Sequence, residues 1–271
     1  MKTLIYIFFY SFLFISAKSI VSQNAVEYFS SGLAKTKTGN YKGAVDDFNN
    51  SIKLSPNNAE PYCCRGIAKN HLKDYAGCIA DQNKAIQLDP NLDGAYFMRG
   101  TAKNHLKDYA GCIADQNKAI QLNPNLDAAY IMRGIAKCNL NDFQSSIIDL
   151  NKAISLDQSN SEAYFFRGKA KYFLSDFKGA NTDLSKSIEL SPNDETYNLL
   201  GLAKNQLKDY KGAIADFTKS IKLNPKFPDP YMNRATSYIS IGNKNAACED
   251  LNKASNLGLT KVNEIINKIC K

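Results

Sequence analysis

The apolar residues between positions 59 and 90 fall into two helical stripes separated by a short polar break. Tyr62, Gly66 and Ala68 lie at helical spacing, and Leu72 closes the run before Lys73 and Asp74. Tyr75, Cys78, Ile79, Ala85, Ile86 and Leu88 form a second stripe, which Pro90 ends. Each stripe predicts about three and a half turns, or roughly 20 Å of helix. The Asp-Tyr break is short, so consecutive helices are expected to be antiparallel neighbours.

This pattern recurs along the chain. Gly66–Pro90 and Gly100–Pro124 are the same 25 residues, 34 positions apart, except at Ile67/Thr101 and Asp89/Asn123. Tyr28, Tyr62, Tyr96, Tyr130 and Tyr164 keep the 34-residue interval, and Tyr197 and Tyr231 follow at 33 and 34. Supersecondary units of this length cannot bury their apolar faces alone and do so by stacking on neighbours.

The recurring residues resemble the tetratricopeptide repeat, whose signature is aromatic, Gly, Ala, aromatic, Ala and Pro at fixed offsets in about 34 residues. With that Pro at position 32, the tyrosines above occupy position 4. Position 8 reads Gly32, Gly66, Gly100, Gly134, Gly168, Gly201 and Ala235. Position 20 reads Ala44, Cys78, Cys112, Ser146, Ala180, Ala213 and Ala247, and position 27 reads Ser51, Ala85, Ala119, Ala153, Ser187, Ser220 and Ala254. These columns are small where two helix backbones approach closely and a larger side chain would overpack the contact. Position 32 is Pro56, Pro90, Pro124, Pro192 and Pro225, with Gln158 as the interior exception.

The resemblance covers seven repeats over residues 23–259, at about 23–56, 57–90, 91–124, 125–158, 159–192, 193–225 and 226–259. It implies an all-α fold, a right-handed α-solenoid of helix-turn-helix repeats. The repeat between Ser191 and Tyr197 is one residue short, so the superhelix is expected to change angle there. The seventh repeat is degenerate, with Lys244 and Ser255 replacing apolar residues. After Gly258, Thr260 is a plausible N-cap. Val262, Ile265, Ile266 and Ile269 then form one stripe, so residues 260–271 are expected to be a C-terminal capping helix.

Two charged columns depart from the family pattern. Position 7 is Arg65, Arg99, Arg133, Arg167 and Arg234, and position 23 is Asp in all seven repeats, from Asp47 to Asp250. Ion pairs are expected between them. Pairing within a repeat strands Asp47 and Asp216; pairing to the next repeat strands Asp183 and Asp250. Either scheme is open. Charges repeated in every unit argue for architecture rather than catalysis.

Residues 1–22 stand outside the repeats. Lys2 precedes an apolar run of 12, Leu4 to Ile15, followed by Ser16, Ala17, Ser19 and Ser22. This is the composition of a secretory signal peptide, and the run is too short to span a bilayer comfortably. The chain is therefore expected to be exported, periplasmic or secreted, with no stable membrane span after cleavage. An uncleaved N-terminal membrane anchor is the alternative.

Seven cysteines in an exported chain raise the question of disulfides. Cys78 and Cys112 sit in the small column and read as packing, and Cys63 and Cys64 are adjacent. Cys248 lies about ten residues before the turn at Gly258 and Cys270 about twelve after it, roughly opposite in a helix hairpin. Similar pairs close the last repeat of exported tetratricopeptide proteins, so the resemblance supports a Cys248–Cys270 bridge stapling the capping helix. Free thiols at both positions are the alternative.

In this family the first helices of successive repeats line a concave groove, with ligand contacts at positions 2, 5, 6, 9, 12 and 13. The resemblance thus implies a peptide-binding groove of Phe97, Met98, Ile131, Met132, Phe165 and Phe166, edged by Asn70, Asn104, Lys169 and Tyr172. Partial absorption of these side chains between helices is the competing reading. His71 and His105 share position 13, but two histidines without further ligands do not make a metal site. Lys35, Lys69, Lys103, Lys137, Lys171 and Lys204 form a column at position 11, read as a solvated helix edge or a ladder for anionic polymers.

The formal charge of +8 falls to +6 without Lys2 and Lys18, which favours acidic partners without specifying one. No Ser/His/Asp, paired-carboxylate, metal or phosphate-loop arrangement points to an enzyme, and no cofactor is implied. The aromatics recur at buried repeat positions, which disfavours nucleic-acid stacking. The sequence thus points to a non-catalytic scaffold binding peptide segments of envelope or secreted partners. A carbohydrate or cell-wall polymer binder and a structural spacer are the alternatives.

Overall fold

The computed structural model describes residues 23–270; the expected signal segment, 1–22, and Lys271 lie outside the described residues. Seven helix pairs follow one another: α1 (23–37) with α2 (Tyr41–Leu54), α3 (Ala59–His71) with α4 (Tyr75–Leu88), and α5 (Asp93–His105) with α6 (Tyr109–Leu122). Next come α7 (Asp127–Asn139) with α8 (Phe143–Leu156), and α9 (Ser161–Phe173) with α10 (Phe177–Leu190). The last pairs are α11 (Asp194–Gln206) with α12 (Tyr210–Leu223), and α13 (Asp229–Ser240) with α14 (Lys244–Asn256). The fold is an all-α solenoid. The chain divides at Ala136/Lys137, inside α7, into two compact parts.

Each pair turns in the same way. Asp74, Asp108, Asp142, Asp176 and Asp209 cap the second helices by accepting a hydrogen bond from the backbone N–H three residues on, with Asn40 and Asn243 doing so at the ends. The residue before each cap has positive φ. It is Gly39 and Gly242 in the outer repeats, but Lys73, Lys107, Asn141, Ser175 and Lys208, at φ of 61 to 64°, in between. There the chain reverses tightly enough for the Asp74 N–H to reach the carbonyl of Lys69 at 2.9 Å. In the short sixth repeat, α10 and α11 keep their 14 and 13 residues, so the missing residue is taken from the loop between them.

Inside a pair, a side chain at position 24 lies on the glycine of position 8. These are Phe48, Gln82, Gln116, Leu184 and Phe217, all essentially inaccessible. A methyl group on Gly66 would come within 2.4 Å of Gln82 Nε2, and one on Gly32 within 2.6 Å of Phe48 Cε1. The glycine column is therefore demanded by the knob opposite it. Where position 27 is Ser, its hydroxyl donates to the carbonyl that begins the same repeat, as Ser51 does to Ala25 and Ser187 to Ser161, both at 2.9 Å.

The Arg and Asp columns pair within the repeat. Arg65–Asp81, Arg99–Asp115, Arg167–Asp183 and Arg234–Asp250 are two-pronged, Nε and Nη2 each donating to one carboxylate oxygen. The remaining Nη1 reaches the preceding repeat: Arg65 to Asn49, Arg99 to Asn83, Arg133 to Asn117, Arg167 to Asn151 and Arg234 to Thr218, at 2.6–2.8 Å. Each guanidinium also lies over the tyrosine three residues before it, at 5.4 Å for Arg65 and Tyr62.

The lysine column joins these networks and is neither a solvated edge nor a free cationic ladder. Lys35, Lys69, Lys103, Lys137, Lys171 and Lys204 each bind the position-23 aspartate of their own repeat, at 2.5–2.9 Å. The carboxylates are buried and therefore recruit every cation within reach. Asp47 and Asp216, which have no Arg in their repeats, hold Lys35 and Lys204. At Asp47 burial alone would raise the carboxyl, but hydrogen bonds from Lys35 and Ser31 outweigh it and hold the pKa below its usual value.

The C-terminal cap differs from the sequence reading. Thr260 does not cap a helix; it opens a 3-10 turn, Thr260–Val262, and α15 covers only Asn263–Ile269. The tight turn after Gly258, at φ 96°, carries Val262 straight into a cluster with Leu251 and Ala254, which a regular helix from Thr260 would not require. Ile266 packs against this cluster, whereas Ile265 stays exposed. Cys248 and Cys270 are bonded, with Cα atoms 5.6 Å apart.

Two outcomes are expected. Arg99→Ala should cost about 3 kcal/mol in urea denaturation, because it strands a buried carboxylate and frees two repeats from each other. Lys103→Ala should cost less than half as much, and equal losses would show that the lysine, not the fork, holds Asp115. In denaturant, thiol titration should find five free cysteines before reduction and seven after it. Reduction should lower hydrogen-exchange protection in α15 by about 3 kcal/mol.

Candidate partner-binding surface

The first helix of each repeat carries the residues expected to meet a ligand. In the N-terminal part, Phe97, Met98 and Met132 are half-buried, as are Cys63 and Cys64. Ile131 is withdrawn, at 4% exposure, and belongs to the core rather than to an accessible floor. Position 5 thus offers different amounts of surface in successive repeats. The amide oxygens of Asn70 and Asn104 are buried and accept no hydrogen bond among the described residues, so these side chains do not present a carbonyl edge to solvent.

His71 and His105 are committed to packing. His71 stacks on Tyr41 with ring centroids 4.3 Å apart, and His105 on Tyr75 at 4.5 Å. Each joins position 13 of one repeat to position 17 of the repeat before it. Phe143 and Phe173 repeat the arrangement at 5.0 Å, but Phe173 remains 54% exposed.

The C-terminal part has the more developed relief. On α9, Phe165 and Phe166 meet edge to face at 5.0 Å, and Lys169 Nζ lies 5.6 Å above the Phe166 ring. Tyr172 turns its ring against Phe173 and Phe177. One hollow of about 310 Å³ opens between α9 and α11, walled by Glu162, Phe165, Phe166 and Glu195 with Ser161, Ser187 and Asn193. A second of similar volume lies beside it, with Phe173, Leu199, Leu202 and Phe227 as its apolar walls and Lys169, Glu195, Asn198, Asp229 and Asn233 as its polar ones. Asn233 donates to Asn198 at 2.9 Å and Ser237 to Asn205 at 2.8 Å, fixing α13 against α11 along the floor.

Sequence reasoning placed Phe165, Phe166, Lys169 and Tyr172 on this surface but passed over Glu162, Asn198, Leu199, Leu202 and Asn233. The missing signal was the same register: these residues occupy positions 2, 5, 6, 9 and 6 of the fifth to seventh repeats.

The five free cysteines are buried or half-buried, with no cation placed to favour a thiolate at Cys63 or Cys64. Burial, and then the neighbouring Cys64 and Cys78 thiols, push Cys63 up to about 12. Burial and then Glu60 push Cys64 up to about 11. These groups are packing residues, not nucleophiles.

Five stretches of the chain match family models described as tetratricopeptide or TPR repeats: residues 32–69, 93–126, 128–160, 195–227 and 228–257. Among solved structures, the chain resembles the APC/C hetero-tetramer Cut9-Hcn1 with a TM-score of 0.74 at 16% identity, covering 95% of this chain and 53% of that one. It spans about half the length of that relative. A tetratricopeptide repeat protein from Parabacteroides merdae aligns at 0.65 and 16% identity, over 91% of this chain and 97% of that one. YrrB, a TPR protein with an unusual peptide-binding site, aligns at 0.57 and 20% identity, over 65% and 92%. At these identities the likeness is one of fold. No curated protein matches the sequence.

Iodoacetamide labelling of native protein at pH 8 should be about a hundredfold slower at Cys64 than at an ordinary thiol, and slower still at Cys63. Both rates should climb about tenfold per pH unit toward the raised pKa values. Rapid labelling at pH 8 would show that the thiols are not held in the packed state described.

Proposed function

Because the chain belongs to the tetratricopeptide repeat family, we propose that it is a non-catalytic scaffold whose first-helix surface holds peptide segments of protein partners. One observation carries this reading. The second and third repeats are the same from Gly66 and Gly100 onward except at two positions, yet just before them the first helix reads Ala-Glu-Pro-Tyr-Cys-Cys-Arg in one and Asp-Gly-Ala-Tyr-Phe-Met-Arg in the other. Tyr and Arg, which build the joint between repeats, are kept. The changes fall at positions 1, 2, 3, 5 and 6, and Cys63, Cys64, Phe97 and Met98 at positions 5 and 6 are half-buried rather than enclosed. Aromatic and Met side chains at such positions supply adaptable contact area for a peptide.

The same reading places the protein outside the cytoplasm, periplasmic or secreted, after loss of residues 1–22, with envelope or secreted proteins as partners. The Cys248–Cys270 bridge supports this, since such bonds persist in oxidising compartments. The polymer-binding alternative is weakened, because each lysine of its column is engaged by a buried aspartate.

A crosslinking pull-down from native envelope material tests the surface assignment. Partners captured by the wild type should be retained by Ile148→Ser, which alters a residue 69% exposed on α8. They should be lost from Phe97→Ser/Met98→Ser or Phe165→Ser/Phe166→Ser, provided these keep the wild-type circular dichroism. The same partners on all the variants would place binding elsewhere on the array.

A further inference from the structure

Position 2 of the last three repeats is acidic in each case, as Glu162, Glu195 and Asp229, on α9, α11 and α13. Acidic residues suit the first turn of a helix, where they meet the positive end of its dipole. Glu60 holds the same place in the second repeat, and Asp93 and Asp127 stand one residue earlier in the third and fourth. A first-turn acid thus recurs from the second repeat onward; what sets Glu162 and Glu195 apart is the hollow they share. The three acids also differ in what answers them. Lys261 approaches Asp229 at 3.6 Å. Glu162 and Glu195 wall the first hollow, and none of that hollow's lining residues is basic. Lys169, on the same face, lies over Phe166 and lines the second hollow, where Glu195 also stands.

The two carboxylates stand beside Phe165 and Phe166. Aromatic faces attract cations, and more strongly when water is excluded. Glu162 and Glu195 are both exposed, so they stand at the rim of the hollow, where an incoming positive charge can meet them. A hollow of about 310 Å³ admits a long side chain with its terminal group. The adjoining hollow shares Glu195 but has mainly aliphatic and aromatic walls.

Resting on the peptide-scaffold reading, we propose that the hollow between α9 and α11 seats the lysine or arginine side chain of a partner segment, and that the adjoining hollow takes an apolar side chain of the same segment. First helices of neighbouring repeats lie on the order of 10 Å apart, and an extended chain rises about 3.3 Å per residue. The two anchors are therefore about three residues apart. The partner segment is extended, basic at one anchor and aliphatic or aromatic at the other, although the protein as a whole is cationic.

The test is a fluorescence-polarisation screen of the oxidised protein against synthetic extended peptides. They carry Arg, Lys, Ser or Glu at one position and Phe, Leu or Ser three residues away, in a Gly/Ser background and in both orders. Binding is expected for Arg or Lys combined with Phe or Leu. It should weaken about tenfold in Glu162→Gln/Glu195→Gln and be reduced by salt, as paired charges require. Leu202→Ser should erase the Phe/Leu preference while leaving the charge preference. Peptides that bind without a basic preference, or bind the Gln variant equally well, overturn this inference and leave the scaffold reading standing. Failure of every peptide to bind overturns the inference, and the scaffold reading then stands or falls separately by the native pull-down.

Discussion

In five of the seven repeats one guanidinium does the joining. At position 7 an arginine sends two N–H groups to the aspartate of its own second helix and a third to an Asn or Thr of the second helix before it, while its plane covers a tyrosine. A lysine could not replace it, since an ammonium offers no planar fork. The aspartate is buried at 2–7% exposure, so its charge is tolerable only while the fork and the position-11 lysine surround it. Helix angle within a repeat and stacking between repeats are thus set by the same side chain. The glycine-and-knob contact then fills the apolar space that this geometry leaves.

Where the arginine is missing, the structure shows what it was for. In the first repeat position 7 is Ser31, which binds Asp47 at 2.6 Å. In the sixth it is Leu200, and the staple to the fifth repeat is lost. Leu200 instead packs with Ala180, Leu184 and Ala203, with Phe165, Tyr172, Ile188 and Leu199 around them. Polar stapling has been exchanged for apolar packing at the junction where the loop is one residue short. Replacing buried ions by well-packed hydrophobes of suitable volume is often energetically neutral, which is why the array can tolerate the exchange.

Most of the fold was legible in the sequence because each requirement is imposed several times. Seven tyrosines at nearly constant spacing and three small columns leave little freedom in helix length or register. The Arg–Asp partner was not legible, since both pairing schemes left two aspartates unmatched by arginine. The choice depended on the lysines, whose position-11 column the sequence left open between a solvated edge and a polymer ladder. Position 24 was also missed: Phe48, Gln82 and Leu184 differ in shape and polarity, and only the glycine beneath each shows their common role. The capping segment misled for the opposite reason. A regular stripe suggested a helix from Thr260, but burial of Val262 immediately after the turn imposed a tighter start.

The surface was less legible than the core for a physical reason. A residue that repeats in every unit is constrained by neighbours also present in every unit, so repetition itself marks architecture. Recognition has to reside in residues that escape this constraint. Family register identified the candidate positions, but it could not say that position 5 is enclosed at Ile131 and partly open at Phe97 and Phe165. Nor could it say that position 2, ordinary at the start of any helix, joins aromatic walls to form a hollow between α9 and α11. Those properties come from differences between adjacent repeats. A solenoid can therefore preserve its joints through duplication while changing its ligand by altering a few residues ahead of the glycine in each first helix.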